Sequence, residues 1–305
     1  MKTLGSTGLT VSSVCAGGSG LGSMPDVFGY DVSADQAVEV VLRVFDSPLT
    51  WIDTSNGYSA GESERRIGRA IREYGGLPAG FLVATKVDAL GNDYSAQRVR
   101  DSVAESKERL ELDDLPLVYL HDPEFNVFEE MRPAVDALQQ LRADGVIGHV
   151  GLAGGNPAEL GRYLDLGGFE VLLVHNRWTL VDHSAEALIE RAVSDGLGVV
   201  NAAVYGGGIL ANPAGATKYG YLDAPDAVLR AVADMDAACR AHGVDLATAA
   251  LRHSVDNPNI TATVVGITKP SRVDALEKAL AADLPAELLT QLAALLPDRQ
   301  YWLEG

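Results

Sequence analysis

Short apolar runs alternate with longer amphipathic segments along most of the chain. About eight runs are rich in Val, Leu, Ile and Ala, as buried parallel strands are. The segments between them place apolar residues three or four positions apart, which is typical of helices that bury one face. The predicted strands are 13–16, 49–53, 81–86, 115–121, 147–152, 171–175, 199–203 and 261–266. The predicted helices are 34–45, 62–74, 96–110, 128–143, 158–166, 185–194, 226–242 and 272–280.

This alternation predicts an α/β fold, a (β/α)₈ TIM barrel. A chain of 305 residues with 47% hydrophobic content suits a single domain, residues 1–305. Two further helical segments, 245–256 and 285–296, predict extra C-terminal helices. A short N-terminal β-hairpin with its turn at Ser6-Thr7-Gly8 is predicted to close the bottom of the barrel. Segment 212–225 is rich in glycine and proline and is long enough to cover a site.

The charge of the chain argues against several classes of partner. Lys and Arg number 24 and Asp and Glu 42, so the formal net charge is -18. Nucleic acids and anionic membranes require basic patches, so neither is expected as a partner. No stretch reaches the roughly 18 apolar residues of a membrane span, and the N-terminus lacks an apolar signal region. We expect a cytoplasmic protein in which Cys15 and Cys239 are reduced. The sequence leaves the oligomeric state open.

Four ionisable side chains stand at or just after the ends of three predicted strands. Asp53 ends one strand and Tyr58 follows it, Lys86 ends the next, and His121 ends the third. In a (β/α)₈ barrel these strand ends meet at one face, where catalytic groups gather. An adjacent ammonium favours a phenolate and lowers the pKa of the phenol. We therefore predict that Lys86, held by Asp53, makes Tyr58 a switchable acid and base for a carbonyl, and that His121 hydrogen-bonds the substrate oxygen.

Each of the four residues also has a structural interpretation. An Asp at a strand end is often a helix cap, a Lys an ion-pair partner, and a His a satisfied core group. An apolar core, however, gives no reason to place all four at its rim. Their occurrence together at consecutive strand ends therefore favours a functional site.

The motifs around these residues resemble those of the aldo-keto reductases. They are Asp53-Thr54 with Tyr58 and the following Gly61-Glu62-Ser63-Glu64, then Ala84-Thr85-Lys86, then Tyr119-Leu120-His121, and the similarity covers essentially the whole chain. The resemblance implies a barrel that binds a nicotinamide dinucleotide without a Rossmann domain. It also implies hydride transfer between the nicotinamide and a substrate carbon. In that reaction Tyr58 is the general acid/base, Lys86 and Asp53 tune it, and His121 orients the carbonyl.

The first loop is only a weak match to a Rossmann fingerprint. Gly17 to Gly22 is glycine-rich and follows a predicted strand, but Met24-Pro25 and an irregular loop come where the fingerprint needs a helix. We interpret these glycines as the first loop of the barrel.

Two other segments resemble one branch of the family. Asn176 to Leu180 and Gly208 to Ala211 are similar to aldose 1-dehydrogenases, such as those of L-fucose, L-galactose and D-threo-aldoses, and to pyridoxal 4-dehydrogenase. This resemblance implies oxidation of a cyclic sugar at C1 to a lactone, with aldehyde reduction as the reverse path. A polar sugar needs hydrogen-bonding groups and often an aromatic wall. We therefore predict Trp51, Arg177 and Trp178 as substrate residues, with His175 also available near a strand end and with plain packing an equally good interpretation of Trp178.

The resemblance implies that the nicotinamide amide lies near Ala153, Gly154 and Asn156. Many relatives carry Ser-Asn in the place of Ala153 and Gly154, which have no hydrogen-bonding side chain. Backbone groups, or the side chain of Asn156, are predicted to hold the nicotinamide amide in place of the missing Ser and Asn side chains. Many relatives also carry a glutamine in the next strand, at the position where this chain has Val174.

The phosphate end of the cofactor is predicted at the last two strand ends. Bare backbone, cations and a helix N-terminus are suited to anions there. The residues are Tyr205, Gly206, Gly207 and Gly208 after one strand and Ile267, Thr268, Lys269 and Arg272 after the next. In the family this last loop holds the adenosine phosphate, so the resemblance places Lys269 and Arg272 near the ribose 2′ position. Two cations favour NADP, but the aldose dehydrogenase branch often uses NAD, so the choice within NAD(P) stays open.

Several alternatives remain beside an NAD(P)-dependent aldose dehydrogenase. The chemistry also fits a general NADPH-dependent aldehyde or ketone reductase and a pyridoxal 4-dehydrogenase. A lyase that uses Lys86 as a Schiff-base nucleophile, and a noncatalytic cofactor-binding subunit, are rivals from other classes. The remaining histidines lack the spacing of metal ligands, so no metal is predicted. They are His149, His183, His242 and His253.

Overall fold

Eight parallel strands form a closed barrel in the computed structural model of the chain, which describes residues 1–303 except the side chain of Asp26. Seven of the strands pair in chain order, and the eighth closes the ring by pairing with both the first and the seventh. The prediction of a (β/α)₈ barrel is thus confirmed. The barrel strands are β3 (Val14–Gly17), β4 (Trp51–Asp53), β5 (Leu82–Val87), β6 (Leu117–His121), β7 (His149–Gly154), β8 (Val171–His175), β9 (Gly198–Ala202) and β12 (Ala262–Gly266).

Helices follow the strands, and several begin at a capping side chain. Ser33, Ser95, Asn156 and Asp245 each accept a hydrogen bond from a backbone N–H of the following turn, which satisfies a donor that the helix leaves free. The helices are α1 (Pro25–Phe28), α2 (Ala34–Phe45), α3 (Glu62–Tyr74), α4 (Ala96–Leu110), α5 (Arg132–Ala143), α6 (Pro157–Asp165), α7 (Glu186–Ser194), α8 (Asp226–Ala241), α9 (Leu246–Val255), α10 (Ser271–Leu280) and α11 (Ala286–Ala294). The two segments beyond the predicted β-α units are helical, as α9 and α11.

Alternate residues of each strand face the inside of the barrel, because side chains along a strand point to opposite faces in turn. The interior is apolar and buried, and its members include Cys15, Trp51, Ala84, Leu117, Tyr119, Ala153, Val171, Leu173, Val200, Ala262 and Val264. The other strand residues pack against the helices in a second, larger core. Asp53, Lys86 and His121 each stand two positions after an inward residue. They therefore continue the inward rows at the C-terminal ends of their strands.

The N-terminal hairpin closes the opposite end of the barrel. Strand β1 (Lys2–Thr3) pairs antiparallel with β2 (Thr10–Val11), and the turn ends at Gly8, whose φ of 75° is in the left-handed region that glycine tolerates. Leu4 and Val11 pack into the barrel interior, and the N–H of Ser6 donates to the carbonyl of Gly196 at 3.1 Å. The predicted hairpin and its turn are therefore present.

Two further properties concern the described chain as a whole. Among residues 1–303, the structure contains no helix with both the length and the apolar character needed to span a membrane. Cys15 and Cys239 are both buried and unpaired.

Candidate active site

Lys86 is the centre of the polar cluster at the mouth of the barrel. Its ammonium donates to Oδ1 of Asp53 at 2.5 Å, to the carbonyl of Thr54 at 2.8 Å and to the phenol oxygen of Tyr58 at 3.1 Å. Lys86 is 1% exposed and Asp53 3%. All three donors of the ammonium are thus used, so the ion pair and the phenol have a fixed relative geometry.

The loop that carries Tyr58 is tied down by the motif that follows it. Ser63 at the start of α3 is fully buried, and its hydroxyl lies 2.8 Å from that of Thr54 and donates to the carbonyl of Gly18 at 2.7 Å. Glu64 is also fully buried, where it accepts from the hydroxyl of Thr85 at 2.6 Å. The Gly-Glu-Ser-Glu motif therefore has a structural reason, because two of its polar side chains anchor the loop between β4 and α3.

Burial and charge act in opposite directions on the Tyr58 phenol. Burial raises the pKa of Tyr58, the ammonium of Lys86 lowers it and the carboxylate of Asp53 raises it, with a net pKa above the usual value. Burial lowers the pKa of Lys86, but Asp53 and Tyr58 raise it, and the net direction is upward. Lys86 thus lowers the phenol pKa, as expected, but burial outweighs its effect. In this environment Tyr58 is a neutral phenol beside a charged ammonium.

His121 lies on the other side of the phenol. The rings of Tyr58 and His121 are 5.6 Å apart between centroids and nearly perpendicular. Nδ1 of His121 lies 2.6 Å from Oδ1 of Asp88, and the Ser55 hydroxyl donates to the other oxygen of that carboxylate. The structure therefore brings Asp53, Tyr58, Lys86 and His121 together and adds Asp88 to them.

The sequence reasoning missed Asp88, although a signal for it is present. Lys86 faces the barrel mouth at the end of β5, and Asp88 follows it by two positions. Because side chains alternate along an extended chain, residues two apart share a face. The same reasoning that selected Lys86 therefore also selects Asp88.

Glu124 occupies the space expected for the nicotinamide amide ligands. Its Oε1 accepts from the backbone N–H groups of Gly155 at 2.5 Å and Asn156 at 3.1 Å. A Cβ on Gly154 would lie 2.5 Å from Oε2 of Glu124, so this position must be glycine for the carboxylate to lie here. Ala153 is buried in the barrel interior. The backbone donors predicted to bind an amide are thus already used by Glu124.

Asn156 has a structural task in this conformation. Its Oδ1 accepts from the N–H groups of Ala158 and Glu159 and so caps α6. Val174 packs in the outer core between strands and helices, whereas Leu173 and His175 lie on the inward rows of β8. His175, and not Val174, is therefore the residue of this strand at the mouth.

Asp122, Glu124 and His175 form an acidic and imidazole group at the mouth. Each offers a ligand atom within 4.8 Å of the others, and all three are partly exposed. The Nε2 of His175 lies 3.4 Å from Oδ1 of Asp122. Exposed acidic groups often share such spacing without binding an ion, so the expectation that the protein binds no metal stays a prediction.

The segment 212–225 contains a hairpin that is hydrogen-bonded to the barrel near Asp122, Glu124 and His175. Strands β10 (Lys218–Tyr219) and β11 (Leu222–Asp223) pair antiparallel, and the buried phenol of Tyr219 donates to the carbonyl of Asn176 at 2.6 Å. Tyr221, at the turn, is 49% exposed, and its phenol lies near Asn176 and Asp122. The hairpin thus brings a phenol close to the mouth from above.

The three predicted substrate residues lie in different environments. Trp51 is 1% exposed in the barrel interior, where its indole N–H donates to the carbonyl of Ser12 at 3.2 Å. Trp178 is 6% exposed and stacks on His183 and His253, with centroid distances of 4.2 and 5.4 Å. Both rings are packed, so neither offers an open face to a substrate. Arg177 is partly exposed, and burial lowers its pKa although the charges of Asp182, Tyr219 and Glu124 act in the opposite direction.

The two loops predicted for the phosphates converge as well. The pKa of Tyr205 is raised to about 12, because burial outweighs the opposing charge of Arg272. The loop after β9 and the start of α10 are therefore neighbours. Lys269 and Arg272 are exposed, whereas Ile267 and Thr268 are buried. Gly206 is buried against Tyr219, and a Cβ on Gly208 would meet no atom within 4 Å. Open backbone and two exposed cations therefore fit a dinucleotide phosphate.

A family model and several known proteins match the chain. The model described as "Aldo/keto reductase family" matches residues 13–297. L-galactose dehydrogenase of Arabidopsis thaliana is 31% identical over 97% of this chain and 94% of its own length. D-threo-aldose 1-dehydrogenase of a Pseudomonas species is 28% identical over 86% and 88%. Pyridoxal 4-dehydrogenase of Microbacterium luteolum is 26% identical over 89% and 90%. The resemblance stated from the motifs is thus confirmed.

A solved structure matches the fold. The holo form of an aldo-keto reductase from Bacillus halodurans superposes with a TM-score of 0.78 at 21% identity, and the match covers 98% of this chain and 96% of the other. At this identity the match concerns the barrel architecture alone.

Proposed function

The chain belongs to the aldo/keto reductase family and is an NAD(P)-dependent oxidoreductase, and we propose that it acts at C1 of an aldose, with Tyr58 as general acid/base. The proposal rests above all on one observation. The Tyr58 phenol accepts a hydrogen bond from the buried, ion-paired ammonium of Lys86 at the mouth of the barrel, 3.1 Å away.

Each of the four residues has its own role in the oxidation of a cyclic sugar. Tyr58 in its phenolate form takes the proton of the anomeric hydroxyl, while the C1–H bond breaks and a C=O bond forms, which gives a lactone. When bound, the nicotinamide accepts the hydride. Lys86 stabilises the phenolate by charge and hydrogen bonding, and Asp53 keeps Lys86 charged and oriented. His121 hydrogen-bonds the oxygen on C1. In the reverse direction neutral Tyr58 donates its proton to an aldehyde oxygen.

The chain's own groups fit the cofactor best at its phosphate end. The exposed Lys269 and Arg272, the N-terminus of α10 and the open glycines after β9 would hold its phosphates. Lys269 and Arg272 would lie near the 2′ position, so the choice between NAD and NADP depends on what these two cations contact.

A polar substrate is supported by the composition of the mouth. Asp122, Glu124, His175 and Arg177 are partly exposed there and offer both donors and acceptors. Two relatives named above are aldose dehydrogenases, of L-galactose and of D-threo-aldoses. An aldose offers such a mouth several hydroxyls that can hydrogen-bond to these groups, whereas a simple aldehyde offers a single oxygen.

A Schiff-base mechanism at Lys86 has less support. An amine must be neutral to attack a carbonyl, but the pKa of Lys86 is raised because Asp53 and Tyr58 outweigh the effect of burial. The Lys86 ammonium is also hydrogen-bonded to three oxygens. The same geometry leaves no free lone pair for nucleophilic attack.

The first test offers the purified protein NAD or NADP with L-galactose, L-fucose, D-arabinose and pyridoxal and follows the absorbance of the reduced nicotinamide. Turnover of an aldose with one of the two cofactors supports the proposal. Turnover of pyridoxal alone would identify the pyridoxal activity instead. No oxidation of any of the four, together with reduction of simple aldehydes, would identify a general carbonyl reductase.

The role of Tyr58 is tested with Tyr58→Phe. The loss of a positioned acid/base is expected to lower kcat by about 10²- to 10⁴-fold, while the affinity for the cofactor, measured by fluorescence titration, is unchanged. Tyr74→Phe is the matched control, because Tyr74 is exposed on the outer end of α3. If Tyr58→Phe keeps full turnover, Tyr58 is not the general acid/base.

A further inference from the structure

A carboxylate outside the four catalytic residues contacts the orienting histidine. Nδ1 of His121 lies 2.6 Å from Oδ1 of Asp88. We propose, on the basis of the function proposed above, that Asp88 is a positioning residue that keeps Nδ1 of His121 protonated and so presents Nε2 to the substrate oxygen.

The chemistry of the pair fixes which nitrogen carries the hydrogen. An ionised carboxylate only accepts hydrogen bonds, so the ring nitrogen that faces it must donate. Burial raises the pKa of Asp88, but His121, Ser55 and Gly57 lower it, and the net direction is downward, so the carboxylate stays ionised. Nε2 of His121 is 3.8 Å from Oδ2 of Asp122, beyond a normal hydrogen bond. That nitrogen is therefore free to meet a substrate oxygen.

Asp88 is itself held in place from the opposite side. The Ser55 hydroxyl and the N–H of Gly57 both donate to Oδ2, the latter at 2.8 Å. A Cβ on Gly57 would lie 2.7 Å from the Asp88 carboxyl carbon, so the close approach requires glycine. The carboxylate thus has one oxygen for His121 and one for the loop that leads to Tyr58.

The three polar residues do not form a nucleophilic Ser-His-Asp arrangement. Such an arrangement has the serine on one ring nitrogen and the carboxylate on the other. Here the Ser55 hydroxyl lies 3.2 Å from Nδ1 of His121, the same nitrogen that meets Asp88, and Ser55 is fully buried. Ser55 therefore helps to fix Asp88 and the ring, and the free nitrogen remains available to the substrate.

Charge also favours a donor at Nε2. Burial lowers the pKa of His121, Asp88 and Asp122 raise it, Lys86 lowers it, and the net direction is upward. The imidazolium carries hydrogen on both nitrogens, so Nε2 donates to a substrate oxygen. The titratable and charged groups that face His121 in the described structure are Asp53, Tyr58, Lys86, Asp88, Asp122 and Tyr94, whose phenol bonds to the His121 backbone.

The experiment first measures His121 directly. Protein labelled with ¹⁵N-histidine contains six histidines, and the His121→Asn variant identifies the signal of His121. A pH titration of the ring nitrogens is expected to show Nδ1 protonated in the neutral form. Asp88→Asn is expected to lower the pKa of His121, because the nearest negative charge is removed. An unchanged His121 pKa in Asp88→Asn would overturn the proposal, and this measurement needs no turnover.

Kinetic measurements then show whether Asp88 affects turnover through His121 or through the loop that carries Tyr58. Loss of an orienting partner typically costs about 10- to 100-fold in activity, so we expect Asp88→Asn to lower kcat by that factor. In a His121→Asn background the same change is expected to have almost no further effect on kcat. An equal loss in both backgrounds would show that Asp88 acts through Gly57 alone and would refute the positioning role.

Asp93→Asn is the control for both measurements. Asp93 lies in the same β5–α4 loop, is exposed, and accepts a hydrogen bond from the N–H of Ser95 that asparagine can also accept. It is expected to leave the His121 titration and kcat unchanged. Should no tested substrate be turned over by the wild type, the proposed function fails while the titration still decides how Asp88 acts on His121.

Discussion

Oδ1 of Asp53 lies 2.5 Å from Nζ of Lys86 inside the barrel mouth, and the side chains are 4% and 1% exposed. The two charges compensate each other in a place that water does not reach. Either charge alone would be buried without a partner, which proteins tolerate poorly.

The first prediction concerns this ion pair. Asp53→Asn is expected to lower the free energy of unfolding by about 3–5 kcal/mol, because it leaves the Lys86 charge buried and uncompensated. The double variant Asp53→Asn with Lys86→Met is expected to cost less than the sum of the two single changes. Urea unfolding followed by circular dichroism measures all three.

The same substitution in an exposed pair provides the control. Asp274 pairs with Arg43 at 2.6 Å but its side chain is 57% exposed, so Asp274→Asn is expected to change the free energy of unfolding by less than about 1 kcal/mol. Strict additivity of the two changes in the Asp53–Lys86 cycle would contradict a coupled buried pair.

The second prediction concerns pH and follows from the raised pKa of Tyr58. Carbonyl reduction uses the neutral phenol, whereas oxidation of an alcohol uses the phenolate. Because burial raises the phenol pKa more than Lys86 lowers it, the neutral form predominates at and above neutral pH. The rate of sugar oxidation is therefore expected to rise with pH through the alkaline range, and that of aldehyde reduction to stay level.

Profiles of kcat against pH in the two directions, with saturating cofactor, measure this difference. Oxidation that reaches its plateau below neutral pH would mean that the phenolate forms easily. It would show that the charge of Lys86 outweighs burial in the working enzyme.

The third prediction concerns the phosphate loop. Lys269 is exposed just before α10, and a charge-assisted hydrogen bond to a 2′-phosphate is worth about 1.5–3 kcal/mol. Lys269→Ala is therefore expected to weaken NADP binding by about 10-fold or more and to leave NAD binding nearly unchanged. Fluorescence titration with both cofactors measures this. Lys278→Ala, at the far end of the same helix, should affect neither, and equal losses for NAD and NADP in Lys269→Ala would refute a 2′-phosphate contact.

The fourth prediction compares two glycines inside helices. A Cβ on Gly68 of α3 would overlap the carbonyl oxygen of Arg109 of α4, whereas a Cβ on Gly161 of α6 would have its nearest contact at 3.9 Å. Alanine is favoured over glycine in a helix by about 0.5–1 kcal/mol. Gly161→Ala is thus expected to stabilise the protein slightly and Gly68→Ala to destabilise it despite the same propensity gain. Thermal unfolding of both variants tests this, and a rise in Tm for Gly68→Ala would show that α3 and α4 can move apart without cost.

The convergence of Asp53, Lys86 and His121 was predictable because a repeated β-α pattern determines which strand ends meet. Period-two alternation then determines which residues face inward. The same rule, applied two residues further, would have found Asp88, and applied to β8 it places His175, which the sequence already offered as a polar group near a strand end, at the mouth instead of Val174. The inward orientation of these side chains follows from local strand geometry, so it can be predicted from the sequence.

Other features depend on contacts between segments that are distant in sequence. Trp178 stacks on His253 of α9, and Glu124 bonds to the backbone of Gly155 and Asn156. No periodicity indicates which loop conformations bring these groups together. Trp51 shows a related difficulty. Its inward orientation is predictable, but its depth in the barrel depends on the carbonyl of Ser12, which accepts from its indole, and on the N-terminal hairpin that packs near it.

The apolar interior beneath the mouth has a consequence for the path of protons. Leu4, Val11 and Val200 line the axis with side chains that cannot hold a proton, and burial raises the pKa of the Cys15 thiol, so that its proton stays in place. Tyr119 also lies on this axis, and its phenol is buried with no hydrogen-bond partner in the described structure. A proton that Tyr58 gains or loses must therefore travel through the open end, the same opening that the reactants use. A ligand that fills this opening isolates the phenol from bulk water and so ties proton exchange with solvent to ligand departure.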